Sequence, residues 1–162
     1  MKRLLLAFGL LALPVTAQAS PEEAQIWGQD AAKLEIQTSQ LIKVIDMGRK
    51  TAPSEDYILG LSRFGRSASN LAVWNDRESG PADLGCIFRG MATESETQTL
   101  SLLEQTDALE ARDTLKRLES MFSDAQLIAK AAAAQTPTPT LQRRHQSETC
   151  PMDAEATRAA LR

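Results

Sequence analysis

The sequence predicts an all-α protein: an antiparallel four-helix bundle in up-down-up-down order with a disulfide-tethered C-terminal tail. Three observations carry that expectation. Apolar and small residues recur three and four positions apart in four successive segments, the spacing that lays one stripe along a helix. The composition is 43% hydrophobic but only 4% aromatic, with 2 Trp and 1 Tyr, and is rich in Ala, Leu, Glu, Gln and Arg, which favour helix over sheet. Gly48, Pro53, Gly80 and Pro81 fall between the first three segments, where they act as breakers.

Residues 1–19 read as a secretory signal peptide. Lys2 and Arg3 precede the apolar run Leu4 to Leu13, and Ala17-Gln18-Ala19 offers small residues where a signal peptidase cuts. About ten apolar residues fall short of the roughly 20 needed to span a bilayer. Cleavage near Ala19 is therefore expected, leaving a periplasmic or secreted chain with no transmembrane segment. Its removal takes two of the 18 basic side chains and no acid, which brings the formal charge from −3 to −5. An exported acidic chain argues against nucleic acid as a partner, since that function needs a strongly basic face.

Residues 20–134 are expected to form the bundle. The first helix opens at Ser20-Pro21-Glu22-Glu23, a hydroxyl cap followed by proline and two acids against the macrodipole. Its stripe runs Ala24, Trp27, Ala31, Leu34, Thr38, Leu41 and Ile45, and Gly48 suits the C-terminal cap before Pro53. Ser54-Glu55-Asp56 repeats the start signal, and Tyr57, Leu61, Phe64, Ala68 and Leu71 carry a second stripe to about Asn75. The stretch from Asp76 to Pro81 is the clearest turn.

A third helix follows from Pro81 with Leu84, Ile87, Met91, Leu102 and Leu103, although Thr93 to Thr99 in its middle is wholly polar. The fourth holds Ala108, Ala111, Leu115, Leu118, Phe122, Ala125, Ala129 and Ala132. Between them Thr106-Asp107, with Glu110 three residues on, resembles a capping box, but no glycine or proline enforces a turn. One continuous helix over 82–134, about 80 Å long at ~1.5 Å per residue, stays open as an alternative and would call for a dimer.

Residues 135–149, with Thr136-Pro137-Thr138-Pro139, read as an extended linker, and residues 150–162 as a short helical segment. An exported chain with two cysteines pairs them by default, so Cys86 and Cys150 are expected to form a disulfide that ties the tail to the start of the third helix. A redox-active Cys86 beside Arg89 is the alternative reading.

Residues that usually carry chemistry are scarce. His145 is the single histidine and lies in a polar tail segment, so it offers neither a catalytic triad nor, with two paired cysteines, a metal site. There is no CxxCH, GxGxxG, GxxxxGK[ST], GxSxG or HExxH. Glu94 and Glu96 are two apart and point roughly 200° away from each other on a helix, which excludes a paired acid/base site. No enzyme activity, metal or cofactor is expected. The function expected is that of an exported module binding another envelope protein or peptide, as a monomer or homodimer. Trp74 beside the turn, with Phe88 and Arg89 in the glycine-flanked stretch 85–90, are its candidate contacts. The alternative is a small-molecule or cofactor-binding bundle with a pocket at Glu94 and Gln98.

Overall fold

The computed structural model describes residues 21–49, 51–78, 80, 82–105 and 107–134. The expected signal peptide, linker and C-terminal segment, with His145 and Cys150, lie outside them. Four helices follow in order: α1 (Pro21–Asp46), α2 (Glu55–Arg77), α3 (Ala82–Glu104) and α4 (Ala108–Ala133). No described helix is long and apolar enough to cross a membrane.

Local signals set the helix ends. Gly48 takes φ 70°, its N–H donates to the Ile45 carbonyl at 2.8 Å, and the Arg49 N–H reaches the Val44 carbonyl at 3.2 Å. These two bonds are the Schellman pair that satisfies the last carbonyls of a helix, and only glycine takes the left-handed position without strain. The Ser54 hydroxyl accepts from the Tyr57 N–H at 3.2 Å at the start of α2. The Asp107 carboxylate accepts from the Leu109 and Glu110 N–H groups at 2.7 and 3.2 Å. That cap ends the ambiguity between one long helix and two: α3 stops at Glu104 and α4 starts afresh at Ala108.

Each helix runs antiparallel to its two neighbours. Trp27 reaches Phe64 while Thr38 reaches Tyr57, so α1 and α2 oppose. Leu61 with Ser95 and Asp76 with Arg89 set α2 against α3. Gln105 with Thr114 and Glu94 with Arg117 do the same for α3 and α4. Glu35 with Gln126 and Asp46 with Arg112 close the ring between α4 and α1.

The closest pairs are α1 with α4 and α2 with α3. Small side chains permit the approach: a Cβ on Gly28 would stand 2.6 Å from that of Ala129, and one on Gly65 would stand 3.3 Å from that of Ser95. Across the wider gap between α1 and α2, side chains reach further. The Trp27 indole donates to the Phe64 carbonyl at 3.1 Å. The Thr38 hydroxyl donates to the Leu34 carbonyl at 2.6 Å, which leaves its oxygen to accept from the Tyr57 hydroxyl at 2.7 Å. Burial pushes the Tyr57 hydroxyl up to about 12, against a smaller opposing effect of the Thr38 bond.

The core holds one ring from each helix. Trp27 stacks on Phe64 with centroids 4.9 Å apart, Phe88 meets the edge of Trp27 at 5.4 Å, and Phe122 meets Phe64 at 5.2 Å. All four rings are buried.

The predicted stripes of α2 and most of α4 form the core. On α1 the stripe drifts: Ile42 is buried, whereas Leu41 and Ile45 are half-buried. A strict seven-residue repeat slips about 20° per heptad against a straight helix, enough to exchange neighbouring positions. The stripe expected on α3 is corrected more strongly. Leu84, Ile87 and Met91 are half-buried and Leu103 is 63% exposed, while Phe88, Ser95, Gln98, Thr99 and Leu102 are buried. The polar middle turns inward because its groups find partners: the Ser95 hydroxyl donates to the Leu61 carbonyl at 3.0 Å and the Thr99 hydroxyl to the Ser95 carbonyl at 2.6 Å.

Truncating the shared ring tests this core. Phe64→Ala is expected to cost about 3–5 kcal/mol, read by urea unfolding, because Phe64 touches two of the other three rings. A second expectation concerns acid. Arg112 lies 2.5 Å from Asp46 and holds that carboxyl below its ordinary 3.8. A carboxyl lowered on folding stabilises above its unfolded value and loses that contribution as pH falls below 3.8 toward the folded value. Asp46→Asn therefore flattens the acid limb of a stability–pH curve below 3.8 and leaves its shape near neutrality unchanged.

Candidate functional site

The expected contact residues gather where α2 ends and α3 begins, a junction where two glycines leave room for the Asn75 and Asp76 side chains. Gly80 donates its N–H to the Asn75 carbonyl at 2.8 Å and closes the turn. Gly85 then passes so near α2 that a Cβ there would stand 2.6 Å from Asp76 Oδ1 and 3.1 Å from Asn75 Nδ2. The glycines flanking the sequence from 85 to 90 thus lie within α3, and the one at 85 serves helix contact, not a presented loop.

Around this junction Asn75 is buried, and Arg89 Nη1 donates to Asp76 Oδ2 at 2.7 Å. The other terminal nitrogen of Arg89 lies 3.8 Å from Cys86 Sγ. Both partners of the ion pair are about half exposed, which limits its contribution to about 0–1 kcal/mol. Cys86 is half-buried, and no described cysteine is free. Cys150 lies outside the described residues, so its pairing with Cys86 stays an expectation.

Of the three expected partner contacts, Phe88 is corrected. It is fully buried with its ring against Trp27, because position 88 falls on the inward face of α3. Trp74 is half-buried and packs against the core from the last turns of α2, leaving part of its indole at the surface. Arg89 is exposed.

Glu94 and Gln98 come together as expected, but they bond to each other. Gln98 is buried and its amide donates to Glu94 Oε1 at 2.9 Å, and Arg117 Nε approaches the same oxygen at 3.9 Å. The pair lies within α3, and its link across to α4 is the long ion pair with the exposed Arg117. Two surface hollows lie elsewhere. One of about 540 Å³ runs between α1 and α4 over Gly28, Ala32, Ala129 and Ala133. The other, about 350 Å³, lies between α1 and α2 beside Leu41, Val44 and Tyr57.

Among the described residues no group of three His, Cys, Asp or Glu is placed to hold a metal ion. Sequence reasoning missed the Asn75–Asp76–Gly85–Arg89 contact. Its signal was the glycine at 85, a costly residue inside a helix unless another backbone comes close. Comparison of the chain with models of protein families, with curated proteins and with solved structures finds no match.

The close approach is tested by filling it. Gly85→Val is expected to separate α2 from α3 at this end and to lower the melting temperature. Arg89→Ala, which removes the half-exposed ion pair with Asp76 and the long contact with Cys86, is expected to change stability by about 1 kcal/mol or less.

Proposed function

We propose that the chain is an exported, periplasmic-type helical module, non-enzymatic and without a cofactor, whose surface binds another envelope protein or peptide. The observation that carries this reading is the filled centre of the bundle. The space where facing helices would hold a ligand contains Phe88, Trp27, Phe64 and Phe122, each ring against the next. Recognition is thereby assigned to the outside, with Trp74 and Arg89 as its contacts at the α2–α3 junction. A Cys86–Cys150 disulfide is part of this reading, since antiparallel packing brings the end of α4 beside the start of α3 and the 15 residues 135–149 are enough in length for a return.

A second reading, small-molecule binding, draws on the α1–α4 hollow, whose volume of about 540 Å³ falls within the usual ligand range. Native mass spectrometry of the exported, unreduced protein separates the two readings. The expected species starts at Ser20, is lighter than the reduced chain by two hydrogens and retains no small molecule. A retained mass overturns the first reading in favour of the second. A photo-crosslinker replacing Trp74 is expected to give a discrete adduct with one envelope protein, while one replacing Ile36 gives none. Cys86→Ser is expected to lower stability by about 2–4 kcal/mol, for a closed loop of about 65 residues. Two alkylatable thiols in native protein overturn the disulfide.

A further inference from the structure

We propose that the C-terminal segment 150–162 docks as a fifth helix in the seam between α3 and α4, covering Ile87 and Met91. The inference rests on the proposed Cys86–Cys150 disulfide, which starts the segment at Cys86. Leu84, Ile87, Met91, Glu94 and Gln98 recur at spacings of three and four, so they share one side of α3. That side faces α4: Arg117 approaches Glu94 at 3.9 Å, and Gln105, seven residues beyond Gln98, donates to the Thr114 hydroxyl at 2.9 Å. Toward the end of α3 the stripe is polar, and Gln98 bonds to Glu94. Toward its start the stripe is apolar: Leu84, Ile87 and Met91 rest against the core yet stay half-buried. α3 lies less close to α4 than to α2, which leaves this apolar stretch at the rim of a wide seam.

Position, length and pattern point to that segment as the cover. Cys86 directly precedes Ile87, and antiparallel packing ends α4 at the same end of the bundle. A segment tethered there meets the seam intramolecularly, where a few apolar contacts are enough. The twelve residues 151–162 span about 18 Å as a helix. Laid along α3 from Cys86, that length runs to Gln98, so the segment covers the apolar stretch and ends where the polar one bonds to itself. Met152, Ala156 and Ala159 recur at spacings of four and three, and the two alanines let the backbone come close to the seam. Asp153, Glu155, Arg158 and Arg162 stay off this stripe, and Ala154 and Leu161 fall on the opposite face. On the other flank of Cys86 stands the half-exposed ion pair of Arg89 with Asp76, which offers charge and no apolar cover.

A photo-crosslinker replacing Met91 in the full, unreduced chain tests the docking. It is expected to link within one chain to residues 151–162, read by mass spectrometry after digestion. Ala156→Asp places a charge in the stripe. It is expected to abolish that link and to speed hydrogen exchange of residues 152–161 about tenfold or more, while the disulfide still forms. Ala154→Asp, on the opposite face, is expected to change neither. Alkylation of the unreduced protein separates the docking from the disulfide beneath it. A formed disulfide with no link from position 91 to the segment overturns the docking alone. So does a link from position 91 to a second copy or to a different protein. Two free thiols with the link retained refute the disulfide and sustain the docking, and two free thiols without the link refute both.

Discussion

The contact on which the bundle depends is that of four rings from four helices. Trp27 and Phe64 lie nearly parallel, 16° apart, while Phe88 and Phe122 meet them edge-on. Stacked and edge-to-face pairs both satisfy the ring quadrupole, and each ring brings roughly 150–250 Å² of surface into the core. Because each helix supplies one ring, the cluster sets the axial position of all four at once. The indole N–H adds direction: its bond to the Phe64 carbonyl fixes which edge of Trp27 faces α2. Four of the seven aromatic residues of the sequence stand in this cluster.

Away from the rings the helices solve two different packing problems. Along α1 and α4, alanine and glycine let the backbones meet, and polar pairs such as Glu35 with Gln126 and Ser39 with Glu119 line the edge of the seam. Along α2 and α3, closeness is bought with hydroxyls, since Ser95 and Thr99 are small enough to pass and polar enough to need a carbonyl. A buried serine with its bond made costs little, whereas a buried serine without one costs about 1–3 kcal/mol. The interior face of α3 thus depends on α2 being correctly placed beside it.

This division between a closed interior and a varied exterior bears on function. The aromatic cluster fills the middle, and Glu94 and Gln98 bond to each other along α3. On the proposed reading, recognition falls to the surface, where the junction of α2 and α3 bears the half-buried Trp74 and the exposed Arg89.

The sequence by itself determined the number of helices, their caps and most of the inward residues of α2 and α4, because hydrogen bonds within a turn and a repeat of 3.6 are local physics. Ser54, Gly48 and Asp107 perform their capping roles through neighbours no more than five residues away. The sequence offered Trp74, Phe88 and Arg89 as candidate contacts, and Phe88 was misread because its glycine neighbours signal both loops and close helix packing. Only the tertiary structure decided which face of α3 turns inward. Ser95 is polar by composition and becomes core only when the Leu61 carbonyl accepts its hydrogen bond, and Phe88 joins the interior only because Trp27, 61 residues earlier, offers it an edge. Burial of a polar or ambiguous side chain is settled by partners distant in sequence, and no local pattern encodes them.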